Sequence, residues 1–252
     1  MSSNRDLNKA NNLASQEYWD NSYKAHQFGR IPKNDKIRVW IERYFQPVKD
    51  KTCFEIGCFP GNYLTVFGEL GYQLNGIDIT PRVVKDLPNW FAQQGFDIGT
   101  FKQADIFEFS AIDKFDVVCS FGFIEHFRNW KELIKIQASL VKKGGYIVIE
   151  TPNFRGFVQY AIHYLLDREN LKRHYLPSMK PQKWKKLLDK MGFEIIYSNY
   201  FEEFDYWLDK APENQRKKNL WKKLQYREAR MKKWKPNSVL YSPYCGLIAK
   251  LK

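Results

Sequence analysis

The stretch Thr52–Thr80, TCFEIGCFPGNYLTVFGELGYQLNGIDIT, decides the fold. Cys53, Phe54 and Ile56 make a short apolar run that stops at a glycine-containing turn. Leu64, Phe67 and Leu70 then recur at helical spacing until Gly71 ends the pattern, and a second apolar run from Leu74 to Ile79 carries Asp78 near its end. The spacing predicts strand, turn, helix and strand: one βαβ unit whose first turn touches a ligand and whose second strand delivers a carboxylate. A dinucleotide fingerprint would read G-x-G-x-x-G. Here the turn reads Glu55-Ile56-Gly57-Cys58-Phe59-Pro60-Gly61, without that third glycine and with an acid two residues before the first. A carboxylate so placed repels a pyrophosphate and suits a cationic ligand. The alternative is an ordinary crossover whose glycines serve only a tight turn.

The run from Glu55 to Gly61 resembles the first motif of class I S-adenosylmethionine-dependent methyltransferases, with Phe59 where the family has its middle glycine. The resemblance carries motifs from about Thr52 to Asn153 and, beyond that, only the order of elements. It implies an α/β fold: a seven-stranded, mostly parallel Rossmann-like sheet with helices on both faces and an antiparallel last strand, paired at the sheet edge. It implies S-adenosylmethionine as cofactor, lying against Gly57 and Gly61 beside Glu55. Asp78, with Ile79 next to it, takes the two ribose hydroxyls, since one carboxylate accepts from both members of a diol. Asp105 and Ile106, after a weak strand over Ile98 to Asp105, are implied at the adenine, the acid accepting from the exocyclic amine and the apolar side chain covering the ring. The alternative for Asp105 is an acid that opens the next turn.

Phe115–Phe121, FDVVCSF, reads as a strand buried on both faces. Ligands of open parallel sheets bind beyond the carboxyl ends of the strands, which places Ser120, Phe121 and the residues through His126 beside the reacting methyl group. Glu125-His126 resembles the acid–histidine pair of the subgroup that contains quinone-biosynthesis and other small-molecule O-methyltransferases. The resemblance implies catalytic roles for both, His126 as the base that takes a hydroxyl proton. The alternatives are a cap on the next helix or a residue that only shapes the pocket. The stretch Glu17–Tyr23, with Tyr18, Trp19 and Tyr23, resembles a segment that closes over the cofactor in many such enzymes. An N-terminal helix packed on the core is the other reading.

Outside these motifs the chain divides into a tail and cap segment over 1–30 and a methyltransferase domain over 31–252. Residues 1–16 read as a loose tail. A helix is expected from Pro81 to about Gln94, another from Trp130 to Val141 stopped at Lys142-Lys143-Gly144-Gly145, and a fifth strand over Tyr146–Glu150. An aromatic helix from Phe154 to Leu166 opens an insertion over about 154–180 that is expected to form a substrate lid. Within it Arg155, Arg168, Arg173, His174 and Tyr175 are candidates for gripping an anionic acceptor, because guanidinium forks match phosphate or carboxylate. A second insertion, over about 203–236, is basic and helical. The chain carries a net charge of +13, and Arg168–Lys235 alone holds 19 basic against 9 acidic residues. An excess so concentrated implies an anionic partner (a phosphorylated metabolite, nucleic acid or lipid headgroup) or a solvated basic face.

No run approaches the length of a spanning helix, and the first residues lack the apolar region of a signal peptide. Four cysteines without a C-x-x-C pair read as buried free thiols, with no metal ligands, in a reducing cytoplasm. Three functions follow from these readings. The first is O-methylation of a small anionic metabolite such as a sugar, a phosphorylated compound or a surface-polysaccharide precursor. The second is 2′-O-methylation of RNA on the basic C-terminal surface. The third is a non-catalytic cofactor-binding module. Methylation of base amino groups is disfavoured, because no Asn/Asp-Pro-Pro-aromatic turn follows the fourth strand, and Cys119 lacks the Pro-Cys loop of a cytosine nucleophile. Oligomeric state has no signature in the sequence.

Overall fold

The computed structural model describes residues 11–109, 113–208, 211–231 and 237–252. In chain order the elements are α1 (Gln16–Tyr23), α2 (Lys36–Tyr44), β1 (Thr52–Ile56), α3 (Leu64–Glu69), β2 (Gln73–Asp78), α4 (Arg82–Lys85), α5 (Leu87–Gln93) and β3 (Ile98–Gln103). There follow β4 (Phe115–Phe121), α6 (Trp130–Ser139), β5 (Val141–Pro152), α7 (Phe157–Leu166), α8 (Arg168–Lys172), α9 (Pro181–Asp189), β6 (Phe193–Phe201), α10 (Gln215–Met231) and β7 (Tyr244–Leu251). The seven strands form one sheet in the order β3-β2-β1-β4-β5-β7-β6. β1 pairs in parallel with β2 and β4, whereas β7 runs antiparallel to both neighbours. The expected seven-stranded Rossmann-like architecture is therefore present.

Both faces of the sheet are apolar because the strands supply large side chains alternately to each. Phe54, Val118, Ile147 and Leu247 pack with Trp130, Leu133, Trp184 and Leu188 of α6 and α9. Cys53, Val117, Val148 and Ile248 face the other way, onto Ile41, Phe67 and Phe91 of α2, α3 and α5. All four cysteines are free and buried. Asp116 ties β1 to β4 at their amino ends, accepting from Thr52, Lys51 and Lys142.

Several expected boundaries move. Lys142-Lys143-Gly144-Gly145 does not separate helix from strand: β5 starts at Val141, and a register shift between Phe115 and Val117 absorbs the four residues, with Gly144 at φ +78°. The expected helix after Pro81 is two helices that meet at Asp86. The lid helix begins at Phe157 rather than Phe154, because Gly156 N–H donates to the Asn153 carbonyl and closes a turn, which the Asn153 amide anchors by donating to the carbonyls of Val239 and Ser242. β7 is not at the edge. It lies between β5 and β6, so every residue of Cys245–Ala249 is buried, and Gly246 leaves room for the Trp40 ring. Of the expected loose tail, residues 1–10 lie outside the described residues. Asn11–Ala14, by contrast, is tied down: Leu13 N–H donates to the His126 carbonyl, Arg128 N–H donates to the Asn11 carbonyl, and Asn12 bridges Phe127. The basic insertion is helical over Gln215–Met231, and 209–210 and 232–236 lie outside the described residues.

One polar residue inside the sheet sets the register that brings Asp78 to the carboxyl end. The β2–β3 ladder slips between Leu74 and Gly76. Asn75 fills the gap, accepting from Thr100 N–H at 2.7 Å and donating to the carbonyls of Cys53 and Gln73. Leucine there would remove all three of these hydrogen bonds, one of them to the buried Cys53 carbonyl. Asn75→Leu should lower unfolding free energy by about 2–3 kcal/mol in urea titration; an unchanged midpoint would show the amide to be dispensable.

Candidate functional site

The carboxyl ends of β1, β2 and β4 and the chain after β3 surround a cavity of about 390 Å³. From the β1 turn, Glu55, Gly57, Phe59 and Gly61 line it. Asp78 and Ile79 line it from β2, Asp105 and Ile106 from beyond β3, and Phe121 and His126 from beyond β4. Trp19 and Tyr23 of α1 close one side. The turn glycines are needed for reach. Gly57 sits at φ +71°, where an added Cβ would fall 2.3 Å from the Phe123 ring. Gly61, at φ +85°, meets Leu87 and Phe91 in the same way.

Asp78 is held by the loop it faces. Its two carboxylate oxygens accept from Phe59 N–H at 3.1 Å and Thr80 N–H at 2.9 Å. Burial nevertheless raises its pKa to about 6. Glu55 is buried, and one of its oxygens has no hydrogen-bond partner among the described residues. Burial and then Asp78 push its pKa well up. An orphaned buried carboxylate on a cavity wall fits a cationic ligand, and a second one with lone pairs free fits a diol. The residues present therefore suit S-adenosylmethionine.

Below His126 lies a group of buried polar side chains. His126 Nδ1 is 2.8 Å from the Arg173 carbonyl, which can only accept. The hydrogen is therefore on Nδ1, so that in the neutral ring Nε2 carries the lone pair. His174 repeats the arrangement, with Nδ1 2.7 Å from the Asn170 carbonyl and its ring 4.7 Å from that of His126. Burial lowers His126 to about 4 and pulls His174 well down. Neither oxygen of Glu125 has a hydrogen-bond partner among the described residues, and burial raises its pKa to about 8. Burial, then Glu125, pushes Glu150 up beside it. The sequence reading names no metal ligands. The fold brings together three residues that could hold a metal ion: Glu125, His126 and His174 each offer one ligand atom, all within 4.8 Å of one another.

Other expected site residues stand elsewhere. Ser120 is on the cavity strand but points into the core, where its hydroxyl donates to Gln137. Tyr18 faces away from the cavity and carries the Arg173 guanidinium 4.0 Å above its ring. Together Tyr18 and Arg173 line a second cavity of about 490 Å³ between the lid and the basic insertion. Arg155 donates to the Tyr200 hydroxyl, Arg168 lies over Tyr164, and Tyr175 donates its N–H to the Glu125 carbonyl. Of the five acceptor candidates His174 adjoins His126 through its ring and Arg173 through its backbone carbonyl, and none lines the first cavity. The sequence reading missed Asn12, Tyr63 and Phe127 on the wall. Asn12 has no local signal, because its place comes from the bridge to Phe127.

Fold and site together define a methyltransferase of the class I type. A family model described as a methyltransferase domain matches residues 28–198. The chain belongs to this family, and its cofactor is S-adenosylmethionine. Among curated proteins it is similar to the ubiquinone biosynthesis O-methyltransferase of Hydrogenovibrio crunogenus, 26% identical over 62% of this chain and 64% of that one. The protein of the same name from Caulobacter vibrioides is 31% identical over 42% and 43%. The chain thus spans less than two thirds of these relatives. Among solved structures, a SAM-dependent methyltransferase from Archaeoglobus fulgidus superposes with TM-score 0.57 at 23% identity, covering 94% of this chain and all of that one. The magnesium protoporphyrin IX methyltransferase of Synechocystis with bound SAH gives 0.56 at 14% identity over 94% and 95%. These two likenesses concern the fold. Among the described residues no helix is long and apolar enough to cross a membrane.

The raised pKa of Glu125 predicts a pH effect on stability. The folded carboxyl keeps its proton up to about 8, whereas the unfolded one releases it near 4.5. Its contribution is therefore full below 4.5 and is lost as pH rises through 8, at up to about 1.4 kcal/mol per pH unit. In chelator-containing buffer, denaturation between pH 5 and 8 should show this decline in the wild type and a flatter profile in Glu125→Gln. Parallel profiles would mean that Glu125 is ionised in the fold.

Proposed function

We propose that the chain transfers the methyl group of S-adenosylmethionine to a hydroxyl oxygen of a small molecule. The observation that carries this reading is the His126 ring: its Nδ1–H is committed to the Arg173 carbonyl, and it lines the cavity that suits the cofactor. In this reading the cofactor's ammonium lies by Glu55, its ribose hydroxyls donate to Asp78, and Asp105 with Ile106 receives the adenine. A cofactor so held would supply an electrophilic methyl group, to which the acceptor oxygen would bond as the carbon–sulfur bond breaks. His126 Nε2 takes the hydroxyl proton as that bond forms. Most of the rate would come from holding the two reactants in contact. Trp19, whose ring lies 5.1 Å from that of His126, shields the meeting point from water.

The curated relatives are named for O-methylation in ubiquinone biosynthesis, which supports oxygen as the acceptor atom. The acceptor's charge has no such support. Arg173 and Lys217 line the second cavity, but so do Asp167, Glu169 and Glu213. The reading is therefore kept to a small hydroxyl-bearing acceptor. A second mechanism draws on the Glu125–His126–His174 group. A divalent cation held there would lower the pKa of a bound hydroxyl, with His126 as ligand rather than base.

Two sets of variants test these roles. Asp78→Asn should weaken binding of the demethylated cofactor by about 1.5–3 kcal/mol in calorimetry. In the wild type that affinity should fall as pH drops through 6, where Asp78 gains a proton, and it should be flat in the variant. Equal affinity in the two proteins would place the ribose elsewhere. With labelled S-adenosylmethionine and a panel of hydroxylated small molecules, His126→Ala should lower turnover by about 10²–10⁴-fold while sparing cofactor binding. Loss in His174→Ala, together with chelator sensitivity, would select the cation mechanism; turnover surviving both would select the base.

A further inference from the structure

Helix α7 is apolar on both faces. Its inward face buries Ile162 and Leu166 together with Gln159 and His163. Its outward face carries Phe157 at 74% exposure, Leu165 at 58%, Tyr164 at 45% and Tyr160 at 42%. A helix on a water-facing surface ordinarily keeps its outer face polar. Tyr160 and Tyr164 stack on one another, 6.0 Å between centroids, which joins them into one surface. Leu240 extends the patch at the amino end of the helix: its carbonyl accepts from Val158 N–H, and its side chain is 59% exposed. These residues are contiguous, large and apolar, as in surfaces made to be covered.

What flanks the patch indicates what covers it. Val158, Ile162 and Leu166 of α7 pack against Trp221 and Leu224 of α10. That contact fixes α10 alongside, with Arg216, Lys217, Lys218, Lys222, Lys223 and Arg227 all exposed. Glu228 is the one acid in Gln215–Glu228, and it accepts from Tyr206 N–H. Tyr226, 71% exposed, stands among the cations. Aromatic and aliphatic side chains on one helix beside a predominantly cationic row of lysines and arginines match the two layers of an anionic bilayer surface: acyl chains for the first, headgroups for the second. A second copy of the chain fits worse, since a symmetric contact would bring two such rows together. RNA fits the row but leaves Phe157, Leu165 and Leu240 uncovered.

We propose that the outer face of α7, flanked by α10, docks on an anionic lipid surface. The lid segment that follows α7 carries Arg173 and His174, whose contacts hold His126, so docking bears on the element next to the cavity. The inference stands on the outer surface and does not depend on which molecule accepts the methyl group.

The test uses the full chain, co-sedimented with vesicles of phosphatidylcholine alone or of phosphatidylcholine with phosphatidylglycerol. Binding is expected only to the mixed vesicles, weakening as salt is raised. Phe157→Ser with Leu165→Ser should reduce partitioning by about tenfold or more. Lys218→Glu, Lys222→Glu and Lys223→Glu together should reduce it on the order of a hundredfold. All five positions are exposed, so melting temperatures should match the wild type, and cofactor affinity should be retained. No sedimentation of wild type with mixed vesicles would overturn the proposal. So would a Phe157→Ser, Leu165→Ser variant that binds as well as wild type, since attraction would then be charge alone. A homopolymeric RNA that binds without regard to the two apolar substitutions, in the absence of vesicle binding, would assign the surface to nucleic acid. A dimer seen by light scattering and lost in that double variant, again without vesicle binding, would assign it to a second copy.

Discussion

The site depends on the carboxylate of Asp78 reaching two backbone N–H groups, those of Phe59 and Thr80. These bonds tie the turn after β1 to the end of β2. Gly57 N–H and Cys58 N–H both point to the Ile77 carbonyl and reinforce the same join. The cavity wall is therefore a closed loop of hydrogen bonds, with the Asp78 lone pairs left over facing inward. The glycines serve this arrangement: Gly57 admits the Phe123 ring, and Gly76 clears the Cys58 sulfur, 2.5 Å from where a Cβ would stand. The same pattern explains how Phe59 is accommodated at a position that the family fills with glycine. Its ring turns outward onto Tyr23, Phe28 and His26, with centroids 5.1–6.4 Å away, and becomes the anchor of the α1 cap.

The second organising constraint is dryness below His126. Glu125, Glu150, His126, His163 and His174 are titratable groups inside an apolar shell that includes Phe154, Tyr175 and Leu176. Burial moves each toward its neutral form: the carboxyls up, the imidazoles down. Neutral groups with unspent lone pairs are expensive to fold, since each forgoes hydrogen bonds that water would give. Such a set beside a reaction cavity is a usual mark of function, because ordering it in advance spares reorganisation during the reaction.

Legibility in the sequence followed locality. β4 matches its expected bounds residue for residue, because it is a continuous apolar run with nothing to compete. The cofactor-side residues Glu55, Gly57, Gly61, Asp78, Ile79, Asp105 and Ile106 all reach the cavity, since each sits at a fixed offset from the end of its own strand. The lysine–glycine run before Tyr146 misled because its residues are turn-formers, yet the sheet takes them up as a bulge. Ser120 misled because strand alternation sends it to Gln137, while its neighbour Phe121 faces the cavity. The lid arginines were chosen by residue type alone, and residue type does not say which way an insertion folds.

What this sequence settles unaided is the α/β alternation, the methyltransferase motifs and the carboxylate at the end of β2, since all of these are short-range patterns of apolar spacing and turn chemistry. Only the tertiary structure decides that β7 enters between β5 and β6, that Asn12 bridges Phe127, and that His174 arrives beside His126. These contacts join residues far apart in the chain. They are selected by which buried surfaces and backbone donors remain unpaired once the local elements have formed, and that remainder is a property of the whole packed molecule.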